Sequence, residues 1–175
     1  MKLSDVKVSG LFKVAGIEFI KFSQDGNRTV AVAKDSLFNS AFGDDNNFAK
    51  SKILKRLQED VLPKIEAEVG AENVLEFETD LLSLDGSDLH GKVTSKIGLP
   101  TFDFYRQNVK VFDEHKLDAW WWLATPDTTE EHVNNHWVVC VSPRGCIIYG
   151  GYFHGNSRGV RPFLIFESSI SVSNE

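Results

Sequence analysis

The segment Trp120-Trp121-Trp122-Leu123-Ala124-Thr125-Pro126 opens the C-terminal third of this 175-residue chain and marks a change in its composition. All four tryptophans and two of the three tyrosines lie beyond residue 116. Alternate residues of an extended strand point to opposite faces, so the three indole rings cannot all face the same way. We expect at least one ring in the core. A core role is favoured over a stacking platform for a sugar or a base, although one outward ring would suit either role.

Downstream of this segment the sequence is rich in turns and in short apolar runs. Trp137–Val141 and Cys146–Tyr149 flank a turn at Ser142–Gly145 and predict an antiparallel hairpin. A glycine-rich loop and a closing strand from Val160 to Phe166 follow. The pattern predicts a β-structured C-terminal third.

Upstream of it the chain mixes strand and helix patterns. Residues 6–34 predict strands that turn at Asp25-Gly26-Asn27. Apolar residues at helical spacing between Ile53 and Val69 predict a helix that Pro63 kinks or divides, and a second helix begins after Thr101. The prediction is an α+β fold with antiparallel β-sheets and two main helices. It forms one domain over 1–175, with a hairpin-plus-helices subdomain at 1–116 and an aromatic β-rich subdomain at 117–175.

Composition narrows the classes of partner. A net charge of -6 argues against nucleic acid, because phosphate neutralisation needs a basic face. No apolar run is long enough for a signal peptide or a membrane span, which predicts a soluble chain with no membrane partner, cytoplasmic or virion-associated. Two cysteines are too few for a disulfide scaffold and suit a reducing compartment.

Candidate chemistry is sparse. His132 and His136 have metal-ligand spacing only if their segment is helical, and its setting argues for a loop. Cys140 and Cys146 flank a turn and are either a redox or soft-metal pair or two small apolar residues in strands, the reading we favour. No nucleophile elbow or phosphate-binding loop is present. We therefore predict no catalytic residue, no bound metal and no cofactor, and retain a metal- or thiol-dependent enzyme as an alternative.

The segment 134–158 is different, because it concentrates aromatic and adaptable polar side chains in loops and strand ends. Such mixtures are typical of binding surfaces, which gain contact area at low entropic cost. The alternative is a polar surface without a partner. The predicted ligand-binding residues are Asn134, Asn135, His136, Arg144, Tyr149, Tyr152, His154, Asn156 and Arg158.

The two tail motifs, Trp121 to Pro126 and Gly159-Val160-Arg161-Pro162, resemble those of a widespread family of uncharacterised bacterial and phage-encoded domains. Their ends read Trp-Trp-Leu-x-Ser/Thr-Pro, a variable middle, and Gly-Val-Arg-Pro. Such tails are similar to those of C-type-lectin-like folds, including formylglycine-generating-enzyme relatives and the variable proteins of diversity-generating retroelements. The resemblance implies that the tryptophans and Arg161 are framework and that the residues between them face the ligand. The chain lacks the Glu-Pro-Asn or Gln-Pro-Asp triplet of calcium-dependent sugar-binding lectins.

The resulting expectation is a non-enzymatic, C-type-lectin-like recognition domain encoded by a phage, prophage or other mobile element. It would bind a protein or a glycan through residues 134–158. An alternative is an intracellular regulatory or host-takeover protein that acts by occluding a partner.

Overall fold

Two five-stranded sheets and one two-stranded sheet make up the β-structure of the residues that the computed structural model describes, 1–153 and 155–173. The side chains of residues 148–150 lie outside this description. The strands are β1 (Leu11–Val14), β2 (Ile17–Asp25), β3 (Arg28–Ala33), β4 (Phe38–Ser40), β5 (Val74–Leu75), β6 (Phe77–Asp80), β7 (Lys92–Ser95), β8 (Trp121–Pro126), β9 (Trp137–Val141), β10 (Ile147–Tyr152), β11 (Arg158–Val160) and β12 (Phe163–Glu167).

The first sheet has the strand order β1-β2-β3-β12-β5 and is antiparallel throughout. The second has the order β10-β9-β8-β11-β4, in which β8 and β11 pair in parallel and the other pairs are antiparallel. Strands β6 and β7 form a separate antiparallel pair. Each larger sheet therefore contains strands from both sides of residue 117.

The N-terminal strands form two successive hairpins rather than one. The predicted turn is confirmed, because Asp25 pairs with Arg28 across a two-residue loop. The expected long strand before it is wrong: it is divided by a second tight turn at Ala15 and Gly16, whose φ angles are 52° and 74°. Positive φ at both central residues gives the turn a twist that matches the flanking strands. Residues 6–10 precede β1 and are not part of a strand.

The helices are α1 (Lys52–Arg56), α2 (Leu62–Val69), α3 (Phe102–Gln107) and α4 (Val109–Glu114), and a π-helical turn at Leu57–Val61 joins α1 to α2. This turn absorbs the missing amide hydrogen of Pro63 without ending the helical segment. The second predicted helix begins after Thr101, whose hydroxyl caps it, but divides at Asn108 into two short helices. The described residues thus contain one long helical segment, where two were predicted. None of their helices is long and apolar enough to cross a bilayer.

Strand β8 lies at the centre of the core, since its two faces pack into different apolar clusters. Trp122 and Ala124 belong to a cluster that includes the α1–α2 segment, and Trp121 and Leu123 belong to a cluster that includes α3 and α4. The Trp121 side chain is buried and the Trp122 side chain is fully buried. The expectation that this run enters the core is confirmed, and the chain is an α+β protein with mainly antiparallel sheets.

Candidate functional site

The end of the β9–β10 hairpin carries an aromatic group at the protein surface. Trp137 and Tyr152 are paired in register, and their ring centroids are 5.2 Å apart. The His136 ring lies 5.8 Å from that of Tyr152. His136 is exposed, whereas Trp137 and Tyr152 are half-buried. These three residues are called the hairpin-end cluster below.

The hairpin-end cluster is anchored from below by Phe153. This residue is buried, and its ring centroid lies 4.9 Å from that of Tyr152 and 5.8 Å from that of His136. Its backbone amide donates to the carbonyl oxygen of His136 at 3.0 Å. The rings of the hairpin-end cluster therefore pack on the buried Phe153 side chain, and the backbone hydrogen bond between Phe153 and His136 holds the two strands together at this point.

The loop after β10 closes back onto the cluster through Asn156. The amide of Tyr152 donates to the side-chain oxygen of Asn156 at 2.9 Å, and the amide of Asn156 points to the carbonyl oxygen of Tyr152 at 3.4 Å. Gly155 permits this closure, since a Cβ at that position would lie 2.9 Å from the Tyr152 ring. The sequence-predicted residues Tyr152 and Asn156 are thus in contact.

The residues before β9 form a second edge of the same surface. The side-chain oxygen of Asn134 accepts a hydrogen bond from the amide of His136 at 3.0 Å, which is a local turn stabilised by an asparagine side chain. The carbonyl oxygen of Asn135 accepts from the amide of Asn46 at 3.0 Å. Sequence reasoning grouped Asn134, Asn135 and His136, and the structure keeps them together beside the hairpin end.

Asn46 fixes this edge to two other loops. Its side chain is fully buried, and its amide nitrogen donates to the carbonyl oxygens of Thr128 at 2.7 Å and Trp137 at 3.0 Å. Its side-chain oxygen lies 2.8 Å from Nε2 of His90. One asparagine therefore joins the loops at residues 43–47, 81–91 and 127–136. The sequence analysis did not predict this role. The one local signal was the pair Asn46-Asn47 in the polar stretch 43–47.

Asp85 organises the outer side of the same loops. Its carboxylate accepts hydrogen bonds from the hydroxyls of Ser83 and Thr128, the latter at 2.6 Å, and lies 3.0 Å from Nδ1 of His132. The Ser83 hydrogen bond, followed by that of Thr128, holds the pKa of Asp85 well below its usual range. Burial and the nearby Asp85 charge raise the pKa of Asp127. The loops that frame the surface are therefore acidic, and they are joined to one another by hydrogen bonds.

The remaining predicted residues lie apart from the hairpin-end cluster or outside the description. Arg144 is exposed in the turn at the other end of the hairpin, roughly 15 Å away at the rise of a five-residue strand. Arg158 is half-buried, with its guanidinium carbon 4.4 Å from the ring centroid of Trp120. The side chain of Tyr149 and the whole of His154 lie outside the described residues.

The two candidate histidines make separate contacts, and the two candidate cysteines form no disulfide. His132 contacts Asp85, whereas His136 packs against Tyr152 and Phe153. Cys140 is buried and Cys146 is exposed, and burial raises the pKa of the Cys140 thiol. Within residues 1–153 and 155–173, no three His, Cys, Asp or Glu side chains are grouped to hold a metal ion.

A serine–histidine contact elsewhere lacks the arrangement that activates a nucleophile. Ser9 has a φ of 65°, and its hydroxyl lies 3.2 Å from Nε2 of His115 while donating to Glu114. The same Nε2 lies 2.9 Å from the carbonyl oxygen of Ser9, which can only accept, so Nε2 carries the hydrogen. It therefore cannot take a proton from the serine hydroxyl.

The geometry in this chain is thus that of an aromatic and polar surface framed by acidic loops that are hydrogen-bonded to one another. No known protein family matches the chain, and no curated protein or solved structure matches it.

Proposed function

We propose that this protein is a non-enzymatic recognition domain of C-type-lectin-like type that binds a protein or a glycan through residues 134–158. The observation that carries the proposal is the hairpin-end cluster, His136, Trp137 and Tyr152, presented at the surface on a fully buried asparagine hub. Aromatic side chains have few rotatable bonds and offer large contact areas, so they bind at a low entropic cost.

The hydrogen bonds that tie down the two flanking loops support this proposal. The loop before β9 is tied through Asn46, and the loop after β10 is tied through Asn156. A surface that is ordered before binding loses little conformational entropy when a ligand arrives. Such a surface is suited to recognition, because little of the binding free energy is offset by the entropy cost of ordering loops.

The division between framework and surface also supports it. Trp121, Trp122 and Arg161 are buried, as a framework role requires, while His136 is exposed. The tail motifs that contain the three buried residues are the basis for proposing a phage, prophage or other mobile element as the source. A virion component would co-purify with particles, whereas an intracellular regulator that occludes a host protein would not.

Site-directed photo-cross-linking tests the proposal. A benzophenone amino acid replaces His136 in one variant and the exposed Lys64 of α2 in a matched control, and both are irradiated in lysate of the producing cell. The proposal expects an adduct at position 136 that is absent at position 64. The same adduct should fall at least about tenfold in yield with Tyr152→Ala, since central aromatic anchors carry much of an interface's binding energy.

A panel of immobilised glycans, probed with labelled wild-type protein and with the double variant His136→Ala/Tyr152→Ala, covers the second ligand class. Circular dichroism verifies that the double variant is folded. Binding that is equal for the two proteins, or adducts that are equal at positions 136 and 64, would contradict the proposed surface.

A further inference from the structure

A groove lies between β6 and α3. It consists of two adjoining hollows with volumes of about 450 and 220 Å³, and the larger is within the usual range of ligand sites. Glu78 of β6 and Thr101, the cap of α3, line both hollows. None of the described residues of β7 lines either of them. The groove therefore runs along the edge of β6 that faces away from β7.

This outer edge of β6 presents backbone groups that pair with no other strand. The amide of Leu81 donates to the carbonyl oxygen of Gly91 at 3.0 Å, one step beyond the pair Asp80 and Lys92. Because backbone groups of successive residues alternate between the two edges of a strand, those of Glu78 and Asp80 point away from β7. Among the described residues, β7 is the only strand that pairs with β6, and no loop backbone group bonds to Glu78 or Asp80. The edge is therefore open to a further strand.

Both hollows also offer apolar surface. In the smaller one, the Phe163 ring centroid lies 4.9 Å from that of Phe77 and 5.1 Å from that of Phe104, and all three residues are half-buried. In the larger one, Leu82 and Leu84 are 44% and 39% exposed. Grouped apolar side chains that remain accessible are typical of interaction sites.

Asp80 gives the groove a carboxylate that has no ion-pair partner among the described residues. Lys92 is opposite Asp80 in the register, but its ammonium lies 3.0 Å from the carboxylate of Glu78. Asp103, the third acidic residue of the lining, lies 2.9 Å from the guanidinium of Arg106. A basic side chain is therefore the electrostatic complement of the groove at Asp80.

We propose that the groove binds an extended segment of a partner protein, which adds to β6 as a third strand of the β6–β7 sheet. The backbone of the segment bonds to that of Glu78 and Asp80, a basic side chain pairs with Asp80, and an apolar side chain packs against Phe77 and Phe163. Phe77 and Asp80 are three residues apart, so they point to opposite faces of β6. Because cross-strand neighbours share a face, the apolar and basic residues of the segment must also be an odd number of positions apart. The site shares no residue with the hairpin-end cluster.

Fluorescence polarisation with short labelled peptides tests this pattern. The probe is a peptide of alternating valine and lysine. One control arranges the same residues as a block of valines followed by a block of lysines, and a second control replaces lysine by glutamate. We expect saturable binding of the alternating peptide and at least about tenfold weaker binding of both controls. Equal binding of the three peptides, or no saturable binding of the alternating peptide at millimolar concentration, would overturn the proposal.

Variants of the protein test whether the peptide occupies this groove, and circular dichroism verifies that they are folded. Leu82→Ser/Leu84→Ser should weaken binding of the alternating peptide by at least about tenfold. Leu89→Ser, at an exposed leucine of the same loop that does not line the groove, is the matched control. Asp80→Asn should weaken binding about two- to fivefold, whereas Asp118→Asn, at an exposed aspartate outside the groove, should not. Unchanged affinity in both groove variants would overturn the proposal.

Amide hydrogen exchange in the wild-type protein, followed by NMR spectroscopy, needs no variant. The amides of Glu78 and Asp80 should exchange rapidly in the free protein, because they have no backbone partner. With saturating alternating peptide, we expect their exchange to slow at least about tenfold, since pairing with a strand protects both amides. Unchanged exchange at both amides would overturn the proposal, even if the variants do not fold.

Discussion

Nε2 of His90 lies 2.8 Å from the side-chain oxygen of Asn46. The amide nitrogen of Asn46 is occupied in donating to Thr128 and Trp137, so its oxygen must accept, and Nε2 of His90 must carry a hydrogen. The histidine is half-buried, and this desolvation lowers its pKa despite the nearby Asp45 and Glu130 charges. The loops beside the hairpin-end cluster are thus joined through a titratable side chain.

Protein stability should fall in mild acid because of His90. In the unfolded chain its pKa returns to its ordinary 6.5, so the unfolded state binds more protons just below that pH. The free energy of unfolding therefore decreases as pH falls through 6.5 and the loss continues down to the lower folded-state pKa. Urea denaturation at a series of pH values measures this slope. His90→Gln, which keeps a donor towards Asn46, should reduce the slope, and His136→Gln is the control. Equal slopes for His90→Gln and the wild type would contradict the assignment.

Asn46→Ala should destabilise the protein strongly. The substitution leaves the carbonyl oxygen of Thr128 without its donor and Nε2 of His90 without its acceptor. The carbonyl oxygen of Trp137 loses one of its two donors and keeps the amide of Asp127. Each unsatisfied buried group costs about 1–3 kcal/mol, so we expect a loss of about 2–4 kcal/mol in denaturant unfolding. Asn39→Ala, at an exposed asparagine of β4, should change stability by less than about 0.5 kcal/mol. Similar effects of the two substitutions would show that Asn46 is not a hub.

Gly151→Ala should destabilise the core, because a Cβ there would overlap the Trp122 ring and lie 3.1 Å from the Val138 carbonyl oxygen. Overpacking of this kind costs about 1–3 kcal/mol. Gly98→Ala is the matched control, since its nearest neighbour would be Phe77 Cζ at 3.4 Å, an ordinary contact. Thermal melting compares the two. A Gly151→Ala variant as stable as Gly98→Ala would mean that the ring of Trp122 is not packed against β10.

The two thiols should react at very different rates. Cys146 is exposed, whereas Cys140 is buried and its pKa is raised by burial, which disfavours the reactive thiolate. With a thiol-reactive disulfide reagent (DTNB), we expect one fast thiol in the native protein and two in denaturant. Cys146→Ser should remove the fast phase and Cys140→Ala should leave it unchanged. Two thiols that react equally fast in the native state would contradict this burial pattern.

Local turn chemistry made parts of the fold predictable. The Asp25-Gly26-Asn27 turn, the cap at Thr101 and the β9–β10 hairpin follow from short-range patterns and are present in the structure. The turn at Ala15 and Gly16 was missed because the flanking apolar residues read as one continuous strand. The predicted closing strand, Val160 to Phe166, is likewise divided into β11 and β12, which belong to different sheets. Only the pairing of these strands with distant parts of the chain determines this division.

The candidate surface was predictable in part, because the hairpin that carries it follows from a local sequence pattern. Asn134, His136 and Tyr152 come together because two paired strands end at the same point. Arg144 is close to them in sequence, yet the length of β9 places it at the opposite end of the hairpin. Asn46 was missed because a hub that joins three loops has no local sequence pattern. Long-range contacts of that kind are visible only after the chain has folded.

The position of β12 between β3 and β5 has a consequence for synthesis. On the ribosome, β3 is complete more than a hundred residues before its partner Phe163–Glu167 emerges. Until then the first sheet lacks the strand that joins β3 to β5, and β3 presents an unpaired edge, which is a hazard for intermolecular pairing. The nascent chain must therefore remain incompletely folded through most of its translation, and premature termination before residue 163 would release a product unable to close its core.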